Sequence, residues 1–206
     1  MFEYLMPSLL MERYEGTLLD QTAHAVVQRQ IDYGRQKDVP WGISESGYYG
    51  FDASRNYQYR GFGVPGLGFK RGLGDDLVIS PYASLLALPL RPQAVMQNIA
   101  HLIEQHLLGP FGFYEAIDYT RSRLALGRKS AIVYSYMAHH QGMILLALTN
   151  YLHDEVMVHR FHADPRVQST DLLLEERNAR QAPVSIPHPA EVGILPPVQP
   201  RLALKP

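Results

Sequence analysis

Apolar positions in this chain fall mainly at helical spacing, and polar punctuation marks where each helix stops. Residues 17–35 are predicted as a helix: Thr17 can cap it, Asp20 sits at the third position of the first turn, and Leu18, Ala25, Val26 and Ile31 supply a stripe. Gly34 and Pro40 are expected to end it. Residues 2–12 read as a shorter helix with Pro7 near its first turn or at a kink. Ser80 is expected to cap a short helix from Pro81 to about Leu88. Leu90-Arg91-Pro92 opens another, with Val95, Ile99, Leu102, Ile103 and Leu107 inward and Gly109-Pro110 as its stop. Ser135 to about Arg160 is helical again, broken near His153-Asp154, and Asp164-Pro165 opens a last helix through Arg180.

Two stretches lack that period. Residues 39–76 are dense in glycine and aromatics, hold Glu45, Asp52, Asp75 and Asp76, and show no sustained strand alternation. So long an irregular segment inside a domain is usually a functional loop. Phe111–Ile117 is a second, shorter aromatic segment, extended or looped, that holds Glu115; residues 121–130 read as an exposed turn. The expected fold class is therefore all-α: about seven helices, with long aromatic and glycine-rich loops gathered at one end. Residues 1–180 form the domain. From Gln181 the chain becomes a proline-rich linker or tail, with seven prolines in the last 24 residues.

Composition narrows the function. At 206 residues, 46% hydrophobic and a formal charge of −1, the chain suits one core and offers no basic surface for nucleic acid. Without cysteine, thiolate and disulfide chemistry are excluded. No apolar run is long enough to span a bilayer, and the first residues are not expected to read as a signal peptide. Apolar residues begin at position 1 with no cap before them, so the chain is expected to start partway through a larger fold.

Aromatic faces, carboxylates and flexible backbone together suit a sugar cleft. Glycoside chemistry needs two carboxyl groups flanking the scissile bond. Glu45 and Glu115 are the natural pair, each in a Gly/aromatic segment, although a loop ion pair is the plainer reading of either. Asp75-Asp76 can bind sugar hydroxyls or cap a turn, and Asp52 is most simply an Asx-turn residue. His139-His140-Gln141 follows Tyr134 and Tyr136; adjacent histidines on a helix are expected to diverge, so no metal is expected, and one of the two is assigned to substrate or a catalytic carboxylate. Gly61–Gly68 lacks the strand and the Lys-Ser/Thr ending of a phosphate loop, no Ser stands in a G-x-S-x-G elbow, and no cofactor is expected.

Taken together, Met1-Phe-Glu-Tyr-Leu-Met-Pro7, Trp41-Gly-Ile-Ser-Glu-Ser46, Tyr57-Gln-Tyr59, Gly63-Val-Pro-Gly-Leu-Gly68, Asp75-Asp76, Gly112-Phe-Tyr-Glu-Ala116 and His139-His-Gln-Gly142 closely resemble the glycoamylase-like module of cyclic β-1,2-glucan synthases, from residue 1 to about 180. The resemblance implies part of an (α/α)6 barrel that acts on linear β-1,2-glucan and closes it into a ring by retaining transglycosylation. Related endo-β-1,2-glucanases share the barrel but invert, with a small residue at the position of Glu45. Glu45 is thus implied as nucleophile and Glu115 as acid/base, with Trp41, Tyr57, Tyr59, Asp75, Asp76, His139, His140 and Gln141 around the substrate. Glu3 is structural or faces the cleft, with the structural role preferred. The implied partners are β-1,2-glucan and the rest of a synthase chain, namely the other barrel half and a phosphorylase-like region. The implied setting is the cytoplasmic side of a bacterial inner membrane. A β-1,2-glucan hydrolase and an inactive or carbohydrate-binding fragment are the alternatives.

Overall fold

Residues 1–68 and 72–176 are described by the computed structural model. The expected tail from Gln181 lies outside the described residues. Seven α-helices dominate: α1 (Phe2–Leu5), α2 (Leu18–Lys37), α3 (Pro81–Leu85), α4 (Pro92–Glu104), α5 (Ala138–Leu152), α6 (Val156–His162) and α7 (Pro165–Gln168). Most expected starts hold. Thr17 Oγ1 accepts from the Asp20 amide at 3.2 Å, and Asp164 caps α7 by accepting from the Arg166 amide. Pro7 splits the first expected helix into α1 and a 3-10 turn, Pro7–Leu9. The break near His153 is present, with Asp154 and Glu155 at positive φ.

Three helical expectations are corrected. Gly34 does not end α2, which runs to Lys37 and stops at left-handed Asp38. Gly34 is there for packing: a Cβ on it would lie 2.9 Å from Trp41 Cβ. Ser80 does not cap α3 with its side chain; its hydroxyl donates to the Glu115 carbonyl at 2.8 Å. Of the helix expected from Asp164 to Arg180, the described part ends at Gln168 and gives way to a 3-10 turn, Asp171–Leu174; 177–180 lie outside the described residues.

The all-α expectation is incomplete, because among the described residues seven short strands form three small sheets. β1 (Ser46–Phe51) and β2 (Tyr57–Arg60) make an antiparallel hairpin inside the segment expected to be irregular. The register runs from Ser46↔Arg60 to Phe51↔Tyr57 and is interrupted by a bulge between Tyr48 and Phe51. That bulge breaks the period of two that would have announced the strand. Asp52 closes the turn as an Asx residue, its Oδ1 accepting from the Ser54 and Asn56 amides at 2.8 Å each. β3 (Val78–Ile79), β6 (Ala116–Asp118) and β7 (Ala131–Val133) form a three-stranded antiparallel sheet with β6 central. β4 (Leu108–Gly109) and β5 (Gly112–Phe113) close a small hairpin. Strands of two or three residues are too short to show alternation in sequence.

One apolar core joins these layers. Leu5, Val27, Ile31, Val95 and Leu102 meet Tyr82, Leu85 and Ala147 from the helices, and Val78, Ile79, Ile117 and Val133 from the central sheet. The hairpin β1–β2 packs on β6 and β7, and α3 packs on α4 and α5. The start of α5 is thereby brought beside the end of the 41–45 segment.

Candidate active site

Residues 41–45 have no strand partner; side-chain amides take that place. Gln30 of α2 accepts from the Ile43 amide at 2.9 Å and donates to the Ile43 carbonyl at 2.7 Å. Asn98 of α4 does the same for Trp41, at 2.9 and 2.7 Å. All four backbone groups are satisfied in the interior, as buried amides require. The segment delivers Glu45, half-buried, just before β1.

Glu115 precedes β6 and is only 2% exposed. Its Oε1 accepts from the Gly47 amide at 2.9 Å and its Oε2 lies 3.0 Å from His140 Nδ1. A Cβ at Gly47 would lie 3.1 Å from Glu115 Cγ, so glycine leaves the carboxylate in place without crowding. His140, on the first turn of α5, is 1% exposed and stacks on Tyr82, ring centroids 3.7 Å apart. The Tyr82 hydroxyl lies 2.8 Å from Ser44 Oγ and 2.9 Å from the Glu45 carbonyl. His140 Nε2 is 3.4 Å from the Tyr59 hydroxyl, which donates to Glu45 Oε1 at 3.0 Å. Both carboxylates named from the sequence therefore belong to one hydrogen-bonded series: Glu115, His140, Tyr59, Glu45.

His139 joins the same point. Its Nε2 is 3.4 Å from the Tyr59 hydroxyl, so the adjacent histidines converge instead of diverging as expected. The helix only begins at Ala138, and β2 brings Tyr59 to the exposed end of both rings. Burial pushes the Tyr59 phenol up, reinforced by its hydrogen bond to Glu45, so the hydroxyl keeps its proton. Partial burial and the neighbouring His140 hold His139 below the usual imidazole range.

The other sequence-named residues lie around this group in different roles. The Tyr57 hydroxyl accepts from the Tyr134 amide at 3.3 Å, and its ring lies 4.8 Å from Phe51. Trp41 is not brought to the carboxylates; it is a core residue and lines a separate cavity of about 410 Å³ between α2 and α4. Asp76 pairs with Arg60 and with Arg123, the latter at 2.8 Å. Asp75 is exposed in the turn beside it. Gln141 points to the β4–β5 hairpin, donating to the Phe113 carbonyl at 2.9 Å. Glu3 is exposed and lines a cavity of about 110 Å³ together with Glu45.

Sequence reasoning missed Tyr82, Asp118, Arg60 and Arg123. Asp118 is fully buried; it accepts from the Tyr49 and Thr120 amides and pairs with Arg123 Nε at 2.8 Å. Arg123 in turn lies over the Tyr48 ring. This network fixes the hairpin that carries Tyr59 to the central sheet. Its only sequence signal was an acidic residue in an otherwise apolar strand.

A family model described as putative glucoamylase matches residues 1–165. Over 184 residues, 89% of its length, the chain is 46% identical to the cyclic beta-(1,2)-glucan synthase NdvB of Rhizobium meliloti strain 1021, and it spans 6% of that protein. Among solved structures, an endo-beta-1,2-glucanase from Chitinophaga pinensis, in complex with sophorotriose and glucose, is similar with a TM-score of 0.46 at 23% identity, covering 75% of this chain and 33% of that one.

Proposed function

The chain belongs to the putative glucoamylase family, and from that premise we propose that it is a β-1,2-glucan-active module that closes linear glucan into rings by retaining transglycosylation. The observation that carries this reading is the series Glu115–His140–Tyr59–Glu45, which links two carboxylates through one imidazole and one hydroxyl. The name of the synthase relative supports the substrate and the ring product.

Glu45 is the nucleophile. Tyr59 holds one of its oxygens, and the other makes no hydrogen bond among the described residues, leaving it to attack the anomeric carbon. As the glycosidic bond breaks, the leaving oxygen takes the Tyr59 proton. Tyr59 takes one from His140 Nε2, and His140 Nδ1 takes one from Glu115, which becomes ionised. In the second step a hydroxyl at the glucan's own far end attacks the glycosyl-enzyme. Its proton returns along the same path, and Glu45 is released. Glu115 is thus the acid/base acting at a distance, with Tyr59 as the group that meets the sugar. Tyr57, Tyr59, His139 and His140 line the subsites. Asp76 and Gln141 hold their segments through their side chains and Trp41 through its backbone, while exposed Asp75 is assigned to sugar hydroxyls. Binding the glucan along the aromatic wall gives its own hydroxyl a high effective concentration, which lets ring closure compete with water.

The helices expose Leu145, Leu152 and Met96, and we read them as part of an (α/α)6 toroid completed by the rest of a synthase. No described helix is long and apolar enough to cross a membrane.

Incubating the chain with linear β-1,2-glucan and weighing the products tests the reading. Rings, lighter than linear chains by one water, are expected, and Glu45→Gln should make none. Linear products alone favour the hydrolase. Unchanged glucan overturns turnover by this chain.

A further inference from the structure

The convergence of two imidazoles and a carboxylate on one point has a use beyond sugar chemistry. We propose that Glu45, His139 and His140 form a binding site for a borderline-soft divalent cation of the Zn²⁺ class, and that its occupancy silences the glycosidic site by taking the nucleophile as a ligand.

The donor set comes first. One carboxylate oxygen of Glu45 and one ring nitrogen from each histidine lie within 4.8 Å of one another. A tetrahedral shell with bonds of about 2.1 Å needs donors roughly 3.4 Å apart. The exposed His139 ring can supply most of that closure by rotation, and half-buried Glu45 the remainder. Imidazole and carboxylate together suit Zn²⁺ and its neighbours better than the hard cations, which prefer all-oxygen shells.

The support behind the donors is the second observation. Metal-bound histidines usually donate their other N–H to a carboxylate, which fixes the tautomer and raises the basicity of the ligating nitrogen. With Glu115 ionised, His140 makes that bond, Nδ1 to Oε2 at 3.0 Å, and its Nε2 lone pair faces Tyr59. Glu115 is itself anchored by the Gly47 amide, and the ring is clamped by Tyr82. The Tyr59 hydroxyl marks the centre, 3.0 Å from Glu45 and 3.4 Å from each histidine nitrogen. Tyr59 is 40% exposed, on an edge where it can turn aside.

Metal binding is measured without turnover, so its outcome is separable from that of the proposed reaction. Untagged chain is titrated with Zn²⁺ by calorimetry and with Co²⁺ by visible absorption. One saturable site per chain is expected, with a Co²⁺ ligand-field band of low-coordinate N/O type. His139→Ala and Glu45→Gln should each weaken Zn²⁺ at least about tenfold, and Glu115→Gln by about 10–100-fold, as loss of a supporting carboxylate does. His139 is exposed, so His139→Ala is expected to keep the wild-type melting temperature. Absence of saturable binding, absence of the Co²⁺ band, or wild-type affinity in His139→Ala would each overturn the site. If the chain turns over glucan, saturating Zn²⁺ should abolish that turnover and chelation restore it; undiminished turnover at saturating Zn²⁺ would overturn the silencing.

Discussion

Glu115 Oε2 stands 3.0 Å from His140 Nδ1, while Glu115 Oε1 is already committed to the Gly47 amide. That division of labour makes Glu115→Gln an informative change. The Gly47 N–H requires an acceptor, so the amide oxygen must face it and the amide NH₂ must face His140. The ring is then forced to carry its proton on Nε2. Turnover should fall about 10²–10⁴-fold, the usual worth of a general acid/base. Nitrogen NMR of the His140 ring should show the proton on Nε2 in the variant, the tautomer from which the relay starts, so that only the transferable proton is lost. Melting should move far less than in Glu115→Ala, which strands buried partners at about 1–3 kcal/mol per group. A ring protonated on Nδ1 in the variant would remove Glu115 as the group that sets the tautomer.

Tyr59 is the residue on which the series turns, since its hydroxyl touches Glu45 and both histidines. Tyr59→Phe keeps the ring and deletes only that hydroxyl. Turnover should fall at least about 100-fold, with stability changed by no more than about 1 kcal/mol because the residue is half exposed. If kcat is retained and only KM rises, Tyr59 is a sugar platform and carries no proton.

Much of this site was legible in the sequence, and the part that was not has a common cause. Glu45 and Glu115 stood out because each lies in a short glycine-aromatic segment and not on a polar helix face. The convergence of His139 and His140 was hidden because it depends on a residue far away in sequence: Tyr59, from the hairpin, reaches both ring nitrogens at the start of α5. The hairpin itself was hidden by its bulge and by Gly47 and Gly50, which erase period-two alternation. Trp41 looked like a sugar platform from its neighbours alone. In the structure its backbone is held by Asn98 and Ser84, and its ring is buried in the core.

Alkaline pH should loosen the fold in a defined window. Burial pushes Tyr82 and Tyr59 up, and burial pushes Tyr119 up to about 12. A group whose folded pKa lies above its unfolded value of about 10 stabilises fully below that value, and its contribution is lost as pH rises through the folded one. The urea midpoint should therefore hold to about pH 10 and decline from there towards pH 12. Tyr119→Phe removes one titrating group together with its bond to Gln105, so it should start lower and decline less steeply. An equal slope in the variant would show that Tyr119 does not contribute.

Arg123 is the residue whose loss should damage the site from farthest away. Its guanidinium meets Asp118 and Asp76, both largely withdrawn from water, and its face lies on Tyr48. Arg123→Met keeps some of the stem's packing and leaves Asp118 as a buried charge. Removing one partner of a buried pair costs about 3–5 kcal/mol. The lower end is expected here, because Asp118 keeps the Tyr49 and Thr120 amides and Asp76 keeps Arg60. Adding Asp118→Asn should recover part of the loss by removing the stranded charge, though its amide cannot satisfy both backbone donors. A double-mutant cycle by urea unfolding measures this coupling, and strict additivity would mean that the hairpin is held by packing alone. Where coupling is present, Arg123→Met should also lower turnover, because the strand that loses its anchor is the one paired with the strand presenting Tyr59.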